Sequence, residues 1–135
     1  MVNFVFPAGR LEANRSTPTF VADTQLEITI TIPVNAVALL WAVSSKNGDD
    51  QARRIVISVK DSDGNPVLIL YDSETEVPAG EYVSWPNTKA TDKQIITSPL
   101  IIPGGYKVVV SWKAPSVAST GGTGNNAVYL TLLGD

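Results

Sequence analysis

The chain has 135 residues, 44% of them hydrophobic and 17% charged, a balance that belongs to a folded globule and excludes general disorder. Ten Lys and Arg stand against 13 Asp and Glu, a net charge of −3, and only Arg53 and Arg54 are adjacent; the clustered basic charge that displaces counterions from phosphates is missing, so no nucleic-acid partner is expected. With no Cys and no His, disulfides, thiolate or imidazole metal sites, and the common Ser-His and Cys-His triads are all ruled out.

A single domain fits this length. Residues 1–24 are broken by Pro7, Gly9 and Pro18 and hold all three phenylalanines, Phe4, Phe6 and Phe20. A solvated tail has little use for Phe, so this segment is expected to dock, either as a strand and loop on its own domain or as an extended arm on a neighbouring subunit. Residues 25–135 form the domain proper. Met1 to Pro7 has no basic n-region and only a short apolar run, so no signal peptide is visible.

Leu26, Ile28, Ile30 and Ile32 alternate with Glu27, Thr29 and Thr31, the period of two of a half-buried strand, and Pro33 ends it. Ala36 to Val43 is apolar throughout, which suits a central strand covered on both faces, with a short helix as the competitor; at eight residues it is far too short to span a bilayer. This places Trp41 in the core. After a polar turn over residues 44–51 comes a strand with Ile55, Ile57 and Val59 inward. Asp61-Ser62-Asp63-Gly64-Asn65-Pro66 then reverses the chain into residues 67–71, a hairpin signal because Gly supplies positive φ without steric cost. Asp61, Asp63 and Asn65 also alternate as oxygen ligands do in calcium loops, but the central Gly and terminal Glu of a helical calcium hand are absent and turn chemistry accounts for all three.

The acidic stretch from Asp72 to Glu76 leads into Val77-Pro78-Ala79-Gly80-Glu81-Tyr82-Val83-Ser84-Trp85. The same grammar of Pro, small residue, Gly, Tyr and a strand ending in Ser-Trp recurs at Ile102-Pro103-Gly104-Gly105-Tyr106 through Trp112. In the later copy Tyr106, Val108, Val110 and Trp112 share one face, the core face. In the earlier copy Trp85 is out of phase with Tyr82 and borders a polar loop, so Trp85 is expected at the surface. Between the two, residues 94–102 can be a strand that Pro99 demotes to an edge or breaks in two. Residues 114–126 are rich in Ser, Thr, Gly and Asn and predict a mobile surface loop, and residues 127–133 a final strand.

Seven or eight strands at regular spacing without an amphipathic helix predict an all-β, single-domain antiparallel sandwich of jelly-roll or immunoglobulin-like type. Chemistry is harder to find. No Ser lies in a nucleophile-elbow motif. The carboxylates Asp72, Glu74, Glu76 and Glu81 could be paired for glycoside hydrolysis, but in a turn region they read as solvated charge. Gly122-x-Gly124-x-x-Ala127 has a loop before it and a strand after it, the wrong context for a dinucleotide site. Asn14-Arg15-Ser16 fits the glycosylation pattern without an export signal to make use of it. The sequence therefore points to no catalytic residue, no cofactor and no metal. In general features, though not by any motif, the chain is similar to the small sandwiches that decorate or complete viral capsids. That likeness of class implies a non-enzymatic homo-oligomer in a virion, in contact with neighbours through Phe4, Phe6 and Phe20. The competing reading is a carbohydrate-binding or adhesion module that stacks a glycan on Trp85, and a third is a small enzyme built on the acidic stretch.

Overall fold

The computed structural model describes residues 9–87, 93–94 and 98–134, so Phe4 and Phe6 lie outside the described residues. Among the described residues all regular structure is β, in twelve strand segments that pair antiparallel. The count exceeds the seven or eight expected because several segments have only two or three residues and leave no periodic trace. The first sheet has the order β1 (Gly9–Ser16), β12 (Asn126–Gly134), β4 (Ala36–Lys46), β7 (Tyr82–Trp85), with β9 (Leu100–Ile102) also on β4. The second has the order β3 (Leu26–Thr31), β10 (Lys107–Trp112), β5 (Ile55–Lys60), β6 (Pro66–Asp72), β8 (Lys93–Gln94). A small ribbon joins β2 (Thr19–Phe20) to β11 (Gly122–Thr123).

The two main sheets share one apolar core. The first contributes Leu40, Val43, Val83, Trp85, Val128 and Leu130, the second Ile55, Ile57, Val108, Val110 and Trp112. One polar contact crosses between them, as the Trp112 indole N–H donates to the Ser45 hydroxyl at 2.9 Å. The expectation for β10 holds for Val108, Val110 and Trp112, and Tyr106 packs against the core from just outside the strand. Val109 and Ser111, on the opposite face of this strand between β3 and β5, are buried as well. An Asp at Val110 would be an unpaired carboxylate in this core, at a cost of several kcal/mol. Val110→Asp is therefore expected to abolish the folded circular-dichroism spectrum. Lys107→Asp should keep it, since Lys107 only reaches outward to the Ser62 carbonyl. The opposite pattern would mean that the faces of β10 are inverted.

The two Pro-x-Gly motifs make the same turn. The amide of Glu81 donates to the Pro78 carbonyl and that of Tyr106 to the Pro103 carbonyl, each at 3.2 Å, with Gly80 at φ 78° and Gly105 at φ 82°. Only Gly occupies that left-handed position without strain. The hairpin at residues 61–65 also forms as expected. Asp61 Oδ1 accepts from the amides of Asp63 and Asn65 at 3.0 and 2.9 Å, which engages that oxygen in turn formation. The 94–102 segment does break: β8 joins the second sheet and β9 the first, on either side of Pro99.

The apolar run of β4 departs from expectation. Ala36, Ala38 and Leu40 face the core, whereas Val37 and Trp41 are exposed, Trp41 by 41%. Against β12 the register passes from Ala42 opposite Tyr129 to Leu40 opposite Leu130, so Trp41 is the extra residue of a β-bulge. The bulge shifts the alternation by one. Leu40 and Val43 then both point inward, three positions apart, and the ring of Trp41 is carried to the outer face. Trp41 thus lies on the surface and not in the core.

Candidate functional site

The outer face of the first sheet carries two kinds of surface. At one end β4, β9 and β12 set apolar side chains next to one another. Leu39 is paired with Ile101 on one side and Thr131 on the other, and Val37 with Leu133. Ile101 is 66% exposed. The Trp41 indole N–H donates to the Thr131 hydroxyl at 2.9 Å, which fixes the ring across the strands. An apolar stripe on a sheet face is normally covered by another layer, and among the described residues nothing covers this one.

At the other end of the same face the surface is polar and concave. An open hollow of about 490 Å³ is lined by Arg15, Ser16, Thr17, Ser44, Tyr82 and Asn125 on the rim and by Asn126, Ala127 and Tyr129 beneath. Strand geometry explains the grouping. Arg15 pairs with Ala127, and Ala127 with Ser44, so these three project to one side, together with Tyr129 two positions along β12. The Arg15 guanidinium lies 5.9 Å from the centre of the Tyr129 ring, a diagonal cross-strand contact. Tyr82, 57% exposed, projects from β7, and its hydroxyl accepts a hydrogen bond from the Asn125 side-chain amide at 2.9 Å. Asn126 is buried, and neither polar atom of its own amide has a hydrogen-bond partner.

A third cluster is buried and structural. Arg53 is fully buried and pairs with the equally buried Asp49 at 2.7 Å. Its guanidinium also donates to the carbonyls of Thr24, Val21 and Lys113, and it lies 5.1 Å from the centre of the Phe20 ring. Asp49 accepts from the amides of Asp50 and Gly121. The neighbouring Asp50 receives the amide and hydroxyl of Thr120, while Asp23 and Ser119 bond each other twice through backbone amides. Gly48 is pressed against this loop so closely that a Cβ there would lie 2.2 Å from the Gly124 nitrogen. The segment at 114–126, expected to be mobile on composition, is thus pinned between 119 and 124 by carboxylates from two other segments.

Of the candidate partner contacts singled out from sequence, Trp85 and Phe20 are turned inward. Trp85 is 0% exposed and belongs to the core; alternation along β7 sends Val83 and Trp85 inward and Tyr82 and Ser84 outward. Phe20 is buried too, edge-on to Trp112 at 5.8 Å, and is not available to a partner as it stands. The acidic stretch is engaged locally, with Asp72 bridged twice by Arg54 and Glu76 accepting from the Ser116 hydroxyl. No group of three or more His, Cys, Asp or Glu among the described residues could hold a metal ion, and no helix there is long and apolar enough to cross a membrane. Sequence reasoning missed Arg15 and Tyr129 altogether. The signal that would have found Tyr82 was the odd spacing from Trp85: if one ring is inside, the other is outside.

No family model matches the chain, and no curated protein matches it. Among solved structures, its fold resembles that of infectious bursal disease virus, Gx strain, at a TM-score of 0.39 and 10% identity over 93% of this chain and 33% of the matched one. A mutant VP2 protein of the same virus, in derived T=1 particles, gives a TM-score of 0.33 and 12% identity over 94% of this chain and 32% of the matched one. The chain spans about a third of the length of the structures it matches.

Proposed function

We infer that the chain is a non-enzymatic structural module of a symmetric assembly, a virion in the reading its sequence favours, and that a second copy of the chain covers the apolar end of the first sheet's outer face. The observation that carries this is the stripe of Val37, Leu39, Trp41 and Ile101, which nothing covers among the described residues. Contiguous apolar surface of this kind is unfavourable in water and marks interaction sites. The place where β1 begins also supports it. Gly9 lies opposite Leu133, and Leu133 is paired on its other side with Val37, so the segment that carries Phe4 and Phe6 is attached at the apolar end of the face. Those two rings, with Trp41 and Ile101, are the partner contacts of this reading; Phe20 and Trp85 act from within the core.

Mass in solution tests it. The full chain is expected to sediment as a species heavier than the 14.4 kDa monomer at about 100 μM, and the double variant Trp41→Asp, Ile101→Asp as a folded monomer. Removal of residues 1–8 should weaken association. The truncation stops there because cutting to residue 20 would remove β1 and the buried Phe20 ring. A full chain that is monomeric at that concentration would sink the proposal.

A further inference from the structure

We propose that the hollow formed by Arg15, Tyr82, Asn125 and Tyr129 binds an acidic saccharide, a glycan bearing the carboxylate of a sialic or uronic acid. This goes beyond the assembly reading and does not depend on it, since hollow and apolar stripe have no residue in common.

Size comes first. A volume of about 490 Å³ is that of a small-molecule site, which runs from about 300 to 1,000 Å³, and the open mouth leaves room for a longer glycan to continue into solvent. The lining then selects the chemistry. The exposed Tyr82 ring offers a flat, electron-rich face, on which the C–H bonds of a pyranose pack favourably. The bond from Asn125 to the Tyr82 hydroxyl holds that exposed ring in one orientation, so less side-chain entropy is lost when a ligand stacks on it. Ser16, Thr17 and Ser44 supply hydroxyl groups that can both donate to and accept from sugar hydroxyls.

Charge decides the subclass. Arg15 is the single charged residue in the lining, in a chain whose net charge is −3, and no carboxylate lines the hollow. Among the described residues Arg15 has no carboxylate partner; its guanidinium is engaged only by the Tyr129 ring, which leaves the N–H groups of its edge free to donate. A planar guanidinium held over an aromatic face is suited to a bidentate bond with a ligand carboxylate. The alternatives fit less well. A phosphate site would call for a second cation or a helix N-terminus, and the described residues contain no helix. A wholly apolar ligand would strip water from the rim hydroxyls and return no hydrogen bond.

Calorimetric titration of the full chain with sialyllactose and with lactose tests the assignment. Sialyllactose is expected to bind about tenfold more tightly than lactose, a difference that Arg15→Gln removes. Tyr82→Ala should weaken both sugars by about tenfold while leaving the melting temperature unchanged, because the Tyr82 side chain is largely outside the fold. Retention of the preference in Arg15→Gln would overturn the role of the guanidinium. The site itself would be overturned if neither sialyllactose nor a glucuronic-acid oligosaccharide bound at about 10 mM, or if an acidic peptide competed as well as the sugar does.

Discussion

Arg53→Ala is expected to lower stability by about 3–5 kcal/mol, a large share of the whole for a domain of this size. The loss has three sources. The substitution leaves Asp49 buried without its counter-ion, at 0% side-chain exposure. It strips the carbonyls of Thr24, Val21 and Lys113 of their donor, and it removes the cation from beside the Phe20 ring. The adjacent Arg54 is the control. Its bond with Asp72 is at the surface, where solvent screens the ion pair, so Arg54→Ala should move the urea midpoint only slightly. Equal losses in the two variants would show that the buried cluster does not hold the fold together. The pair also has a pH signature. Burial by itself pushes the Asp49 carboxyl up, but the hydrogen bonds from Arg53, Ser119 and Asp50 outweigh it and hold the group below its ordinary value of 3.8. A lowered folded-state value means that the contribution is complete above 3.8 and is lost as pH falls through the lower value. The stability gap between the parent and Asp49→Asn should accordingly be constant near neutrality and close only in acid.

Trp85→Ala is expected to cost about 3–5 kcal/mol, whereas Tyr82→Ala, three positions away, should stay within about 0.5 kcal/mol of the parent. The contrast follows from β7. Trp85 is wholly inside, and truncating it leaves a cavity between the sheets that the neighbouring strands cannot close, whereas Tyr82 loses one hydrogen bond to Asn125 at the surface. Denaturant unfolding monitored by far-ultraviolet circular dichroism separates the two. A stable Trp85→Ala would return that ring to the surface and with it the sequence-based choice of binding platform.

Why some of this could be read from sequence and some could not comes down to range. Leu26 to Ile32 and the hairpin at 61–65 are set by neighbours one or two positions away, through alternation in one case and the Asp61 side chain in the other, and both form where expected. The faces of β10 were legible for the same reason. At β7 the alternation was read correctly but gave only two faces, with a Tyr on one and a Trp on the other. Which of them is inside depends on the opposite sheet, which no local pattern reports. Trp41 was misplaced because an apolar run was taken as covered on both faces, whereas among the described residues nothing covers the outer one. Arg53 was read as half of a basic pair, since its partners come from residues 21–24, 49 and 113. The glycine-rich stretch at 119–124 has a mobile composition and fixed surroundings, and the fixing groups, Asp23, Asp49 and Asp50, lie far off in sequence. The hollow was illegible for a related reason: it assembles from β1, β4, β7 and β12 together with Thr17 and Asn125 between strands, and no single strand supplies its lining.

The position of β12 has a kinetic consequence. That strand lies between β1 and β4, so that Gly9 pairs with Leu133 and Ala36 with Gly134. Until it inserts, β1 has no ladder and β4 presents an unpaired edge beside its apolar stripe. Closing such long loops before any contact rewards them slows folding to the range of milliseconds to seconds typical of sandwiches. During that interval the open edge of β4 is a template for the wrong strand, including β12 of another copy. High concentration during refolding should therefore favour strand-exchanged dimers, and the central strand that completes the sheet is also the element most exposed to capture by a neighbour.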